Sequence, residues 1–108
     1  MTRPWPPNLV LMPISQLQRR HLKKLAHHLK PVVIVGNAGL GENVLNEIEL
    51  ALQHHELIKV RLNGEDKQQR ETMIAQIVSH TSCEQVLRIG HVAAFYRPAE
   101  EPKITLPR

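Results

Sequence analysis

Six basic side chains, Arg3, Arg19, Arg20, Lys23, Lys24 and Lys30, fall between Met1 and Gly41, where the chain has no acid at all. All ten acids lie from Glu42 onward, against eight basic residues there, so the net charge of +4 divides into +6 and −2. Arg20, Lys23, Lys24, His27 and Lys30 recur at spacings of three and four, with Arg19 beside them, which gathers them on one side of a helix. Like charges at these spacings destabilise a helix, so a polyanionic partner explains such a face better than solubility alone. The chemistry available is the neutralisation of phosphate. A nucleic acid fits better than a membrane surface, because an interfacial helix wants aromatic residues opposite its basic face. The leucines here are needed for a core.

A second feature lies a few residues on. Gly36-Asn37-Ala38-Gly39 joins an apolar strand to a helix. Glycines let a backbone turn tightly and approach another chain without a Cβ between them, and the free N–H groups at a helix start can hold a phosphate. A Gly-x-x-Gly loop clamps a nucleic-acid backbone in this way in KH domains. Against it stand the uncharged Asn37-Ala38 pair and Glu42 in the first helical turn, which competes for the same positive helix end. Lys59 and Arg61, on the polar face of the second strand, add two cations; whether they join the helical patch depends on the fold. The expected nucleic-acid-contacting set is therefore Arg19, Arg20, Lys23, Lys24, His27, Lys30, Gly36, Asn37, Ala38, Gly39, Lys59 and Arg61.

Other chemistries find little in the sequence. Seven histidines include the adjacent pairs His27-His28 and His54-His55, but helical neighbours diverge and there is no HExxH or CxxC, so no metal or other cofactor is expected. Cys83 opens a strand, where a small buried thiol is the ordinary reading, and its being single excludes an internal disulfide. Glu47 and Glu49 face different directions on their helix, and Ser15, Ser79 and Ser82 lack a nucleophile's surroundings, so no catalytic residue is expected. With Trp5, Phe95 and Tyr96 the only aromatics, recognition of a nucleic acid should rest on its shape and phosphate position more than on base stacking. No apolar run approaches a bilayer span. A reducing, cytoplasmic setting and a monomer are expected.

The elements that must position these residues follow from periodicity. Four prolines in residues 1–14 preclude a regular helix and imply a flexible arm. Met12 offers an alternative start that would make residues 1–11 dispensable. A helix is predicted to begin at Ser15, with Gln18 completing a capping box, to bury Leu17, Leu22, Leu25, Ala26 and Leu29, and to end at Pro31. Val32 to Val35 read as a strand buried on both faces. Further helices are expected over about 42–54 and 66–80. A strand over 57–62 puts Ile58, Val60 and Leu62 on one face, and two strands over about 84–89 and 92–97 are joined by the turn Gly90-His91. The order α-β-α-β-α-β-β implies an α/β domain of a two-layer-like kind, over 15–98, with a mixed four-stranded sheet and three helices. Strand order is not readable. The tail, 99–108, should lie outside the core.

Taken together, Leu22–Leu40 ("LKKLAHHLKPVVIVGNAGL"), His54–Leu62, Ala94–Pro98 and Lys103–Arg108 make the chain resemble the CRM domain, the chloroplast RNA splicing and ribosome maturation family, in its single-domain bacterial YhbY-type form. The resemblance runs from Ser15 to the end. It implies a fold similar to the C-terminal domain of translation initiation factor three, RNA binding through Gly36 to Gly39 and through Lys23, Lys24 and Lys30, and association with precursors of the large ribosomal subunit, hence 23S rRNA as partner. Residues 1–11 have no counterpart in the family, and Gly41 stands where a Ser or Thr helix cap is common. A different reading keeps the charge for steering only and makes the chain a protein-interaction factor docking on a ribosomal protein or translation factor.

Overall fold

Ser15 starts the first helix as the sequence predicts. Its Oγ accepts from the Gln18 N–H at 3.1 Å while the Gln18 side chain accepts from the Ser15 N–H at 3.0 Å. The computed structural model describes residues 14–36, 38–99 and 102–107, so most of the expected proline-rich arm, and Asn37 of the loop, lie outside the described residues. The described residues form α1 (Gln16–His27), β1 (Pro31–Val35), α2 (Glu42–His55), β2 (Leu57–Leu62), α3 (Lys67–Thr81), β3 (Glu84–Ile89) and β4 (Val92–Tyr96). The element order and class are those read from the sequence.

The sheet has the order β1-β2-β4-β3. β1 and β2 are parallel across the α2 crossover, and β4 runs antiparallel to both of its neighbours. β3 and β4 form the expected hairpin, with Gly90 at φ +57 in its turn. Alternation along the strands divides the core. On one face Val33, Val35, Ile58, Val60, Leu62 and Phe95 pack against Ile48 and Leu52 of α2 and Met73, Ile74 and Ile77 of α3. On the other, Leu57, Val86, Ala94 and Tyr96 pack against Leu22 and Ala26 of α1. The layering is helix, sheet, helices, three layers where the sequence suggests a two-layer-like domain, because each sheet face needs its own apolar cover.

Four local expectations change. α1 ends at His27, since the residue before Pro31 is pushed out of helical geometry, so Lys30 sits on a connector and not on the helix. The buried stripe of α1 is narrower than its leucines suggest: Leu22 and Ala26 are fully buried, while Leu17, Leu25 and Leu29 are substantially exposed. β1 is an edge strand with one face uncovered, not a strand buried on both sides. The tail does not stand clear of the core. Ile104 and Leu106 pack on the α1 side, and the buried Glu56 carboxylate accepts from the N–H groups of Lys103 and Ile104 at 2.7 and 3.1 Å.

Candidate nucleic-acid interface

With Leu22 and Ala26 turned into the sheet, the 3.6-residue turn places Arg20, Lys24 and His27 on the far side of α1 and Lys23 on the adjoining flank, toward β3. All four are exposed. Lys24 and His27 lie in the last turn, where the helix dipole favours positive charge and offsets part of their mutual repulsion. Arg19 is different. It turns toward the sheet, donating to the Gln85 carbonyl and pairing with the Glu84 carboxylate at 3.7 Å. The acid missing from its own part of the sequence comes from β3, and Arg19 is thereby tied to the fold. Lys30 is exposed on the connector beyond the helix.

The fold also decides where Lys59 and Arg61 point. They alternate with Ile58, Val60 and Leu62, and so share a sheet face with Leu57, which packs under α1. The two strand cations therefore lie on the same side of the sheet as the basic helix. Lys59 is half-buried and Arg61 exposed. The Arg61 Nε donates to the Asn63 side chain at 3.1 Å, which holds the guanidinium at the end of β2. Asn63, in turn, donates its backbone N–H to the Val35 carbonyl at 2.9 Å, so this strand end sits beside the one that feeds the glycine loop. Sequence reasoning did not single out Asn63, and its position directly after a strand was the available signal.

In the loop, the Gly39 N–H donates to the Gly36 carbonyl at 3.0 Å, closing a turn. Gly39 needs to be glycine for its own conformation, at φ +90. Gly36 does not: its φ lies outside the left-handed region, and a Cβ built there meets nothing within 4 Å. Nothing among the described residues therefore requires glycine at this exposed position. Ala38 is exposed as well. Gly41 caps α2 without a side-chain hydrogen bond, which leaves the first N–H groups of that helix free of a hydroxyl cap, with Glu42 in the first turn.

These groups can hold an anionic backbone. Bond-making chemistry has less to work with: burial pushes the Cys83 thiol up to about 11, away from the reactive thiolate. Among the described residues no three His, Cys, Asp or Glu side chains gather around a possible metal position, and no helix is long and apolar enough to cross a membrane.

Comparison with known proteins adds four findings. The pattern of the CRS1 / YhbY (CRM) domain matches residues 14–97. The chain is 54% identical over 95 residues to an RNA-binding protein of Haemophilus influenzae, covering 88% of this chain and 96% of that one. It is 39% identical over 95 residues to a protein of Pseudomonas aeruginosa bearing the name "Probable RNA-binding protein", covering 88% and 91%. Among solved structures, the solution structure of a hypothetical protein of Staphylococcus aureus matches with a TM-score of 0.76 at 30% identity, covering 88% of this chain and all of that one.

Proposed function

The chain belongs to the CRS1 / YhbY (CRM) domain family, and from that membership and the geometry of its basic face we propose that it binds RNA, with no catalytic step. The observation that carries the reading is an arc of cations on α1, Arg20, Lys23, Lys24 and His27, set on the same side of the sheet as Lys59 and Arg61 and continuous through Asn63 with the Gly36–Gly39 loop. The helix neutralises phosphates, and Gly36 admits an RNA backbone where a Cβ would stand in its way. Arg19 positions α1 and contributes charge from its exposed part. The names of the Haemophilus and Pseudomonas relatives point the same way.

We further propose that the RNA is ribosomal, a precursor of the large subunit carrying 23S rRNA, and that the protein assists assembly of that subunit in the cytoplasm as a monomer. Support for this target comes from the family resemblance and not from any group in the site. The first test is RNA affinity as a function of salt. Reversing both Lys23 and Lys24 to Glu should weaken binding and lower the slope of log affinity against log salt by about two. Unchanged affinity and slope would remove α1 from the interface. The ribosomal target is tested by sedimentation of cell extracts: co-migration with large-subunit precursors should be lost on RNase treatment, and co-migration that survives it would favour docking on a protein.

A further inference from the structure

α1 covers only part of its sheet face. Leu22 and Ala26 lie over Leu57, Ala94 and Tyr96, at the start of β2 and the end of β4. Toward the other end of the same face, register aligns Ile34 with Arg61, Arg61 with Val92 and Val92 with Ile89, one row crossing all four strands. Ile34 is 62% exposed, Ile89 58% and Val32, farther back on β1, 51%. At strand spacings near 4.8 Å this row is about 14 Å wide. Large exposed apolar side chains gathered on one flat surface mark a binding site more often than chance.

The charge set in this row tells what covers it. Arg61 stands between Ile34 and Val92, its only polar contact among the described residues is the neutral Asn63 side chain, and Lys59 lies behind it. The strand residues on this open half include no carboxylate; Glu84, at the far end of the face, is already paired with Arg19. A second copy of the chain packed through this same face would bring Arg61 toward like charge. A nucleotide complements the surface in both respects, with an apolar base face for the aliphatic row and a phosphate for the cations, and a guanidinium also stacks on bases.

We propose that the half of the sheet that no described helix covers, the row Ile34–Arg61–Val92–Ile89 with Val32, holds the faces of unpaired bases, so that this protein selects single-stranded segments within its RNA. The inference rests on the RNA-binding reading above and sharpens it. In a paired A-form helix the base faces are stacked away and only edges, ribose and phosphate are offered, so a duplex gains nothing from the apolar row. Four-stranded sheets that use one face for RNA seat two or three bases on aromatic side chains; here β-branched aliphatics and an arginine take that place. The row also lies beside the glycine loop, since Val35 leads directly into Gly36 and pairs with Leu62, the residue after Arg61.

The test compares an unstructured oligouridine with a fully paired RNA duplex of equal phosphate count, against the wild-type chain and the single variants Ile34→Ser and Ile89→Ser. Both positions are exposed, and unchanged thermal melting will show that the variants fold. The oligouridine should bind more tightly than the duplex. Each variant should weaken the oligouridine by about tenfold while leaving duplex affinity and the salt slope as they were. Equal or tighter duplex binding, or variants that hold oligouridine as well as wild type, would overturn the proposal while Lys23/Lys24 reversal still reports RNA binding. Failure of every RNA to bind would remove the RNA reading itself. Tight capture of polyglutamate that Ile34→Ser abolishes would assign the face to an acidic protein instead.

Discussion

Gly36 and Gly39 look equivalent in the sequence and differ in what they need. Gly39 occupies φ +90, where an L side chain costs about 1–2 kcal/mol. Gly36 is free of that constraint and has open space around it. Gly39→Ala should therefore lower thermal stability. Gly36→Ala should leave it unchanged, or raise it by up to about 1 kcal/mol through the unfolded chain. If an RNA backbone approaches the loop closely, Gly36→Ala weakens RNA affinity despite its neutral effect on folding. Melting curves and binding isotherms on the two variants separate the cases, and a Gly36→Ala variant that binds RNA normally would end the close-approach reading. The basic residues divide in the same way: Lys23 and Lys24 are exposed, while Arg19 is held by Glu84 and the Gln85 carbonyl. Arg19→Ala should thus reduce stability as well as affinity, a combination that Lys23→Ala should not show.

Between elements, two acids of α2 and its C-terminal cap do structural work that position in the sequence does not announce. Glu49 makes a bidentate pair with Arg97 at 2.9 and 2.7 Å, and the same guanidinium donates to the Thr81 carbonyl at 2.8 Å. This clasp joins α2, the end of β4 and the end of α3. The Arg97 hydrogen bond holds the Glu49 carboxyl below its ordinary value, with burial opposing. A carboxyl lowered in the folded state contributes stability that is complete above its unfolded value, about 4.3, and is lost as pH falls through the folded one. Melting temperature should therefore drop through the acidic range, and Glu49→Gln should be less stable at neutrality with a shallower acid-side fall. A variant with the wild-type acid slope would show that Glu49 is not the group titrating. Glu56 sits at φ +63, a strained position for a side chain, and its buried carboxylate holds the tail at Lys103 and Ile104. Glu56→Ala strands two N–H donors, at a cost of about 1–3 kcal/mol, and should speed amide exchange at both residues.

Over the whole molecule, the charge asymmetry becomes a difference between faces. α1, Lys59 and Arg61 share one side of the sheet, while α2 and α3 cover the other. Glu71 of α3 meets Arg88 at 3.2 Å. One side therefore offers cations with no acid partner among the described residues together with exposed aliphatics, and the other offers helices of mixed charge. Photo-crosslinkers placed at Lys24 and at Arg61 should capture the same stretch of RNA, and one placed at Thr72, exposed on α3, should capture none. Capture through Thr72 at equal yield would show that the RNA wraps the domain and is not held on one face.

Much of this was legible in the chain itself. The capping box at Ser15, the alternation through Leu57–Leu62, the Gly90-His91 turn and the acid-free helix all follow from local chemistry, because caps, turns and periodicity depend on residues a few positions apart. Alternation told which residues share a face. It could not tell which faces are covered, since that depends on strand order and on how far a helix reaches across the sheet. Only the tertiary structure made β1 an edge and exposed Ile34, brought Lys59 and Arg61 to the side of α1, supplied Glu84 to Arg19, and folded the tail under Glu56. Each of these contacts joins residues far apart in sequence, where burial and pairing outweigh local preference.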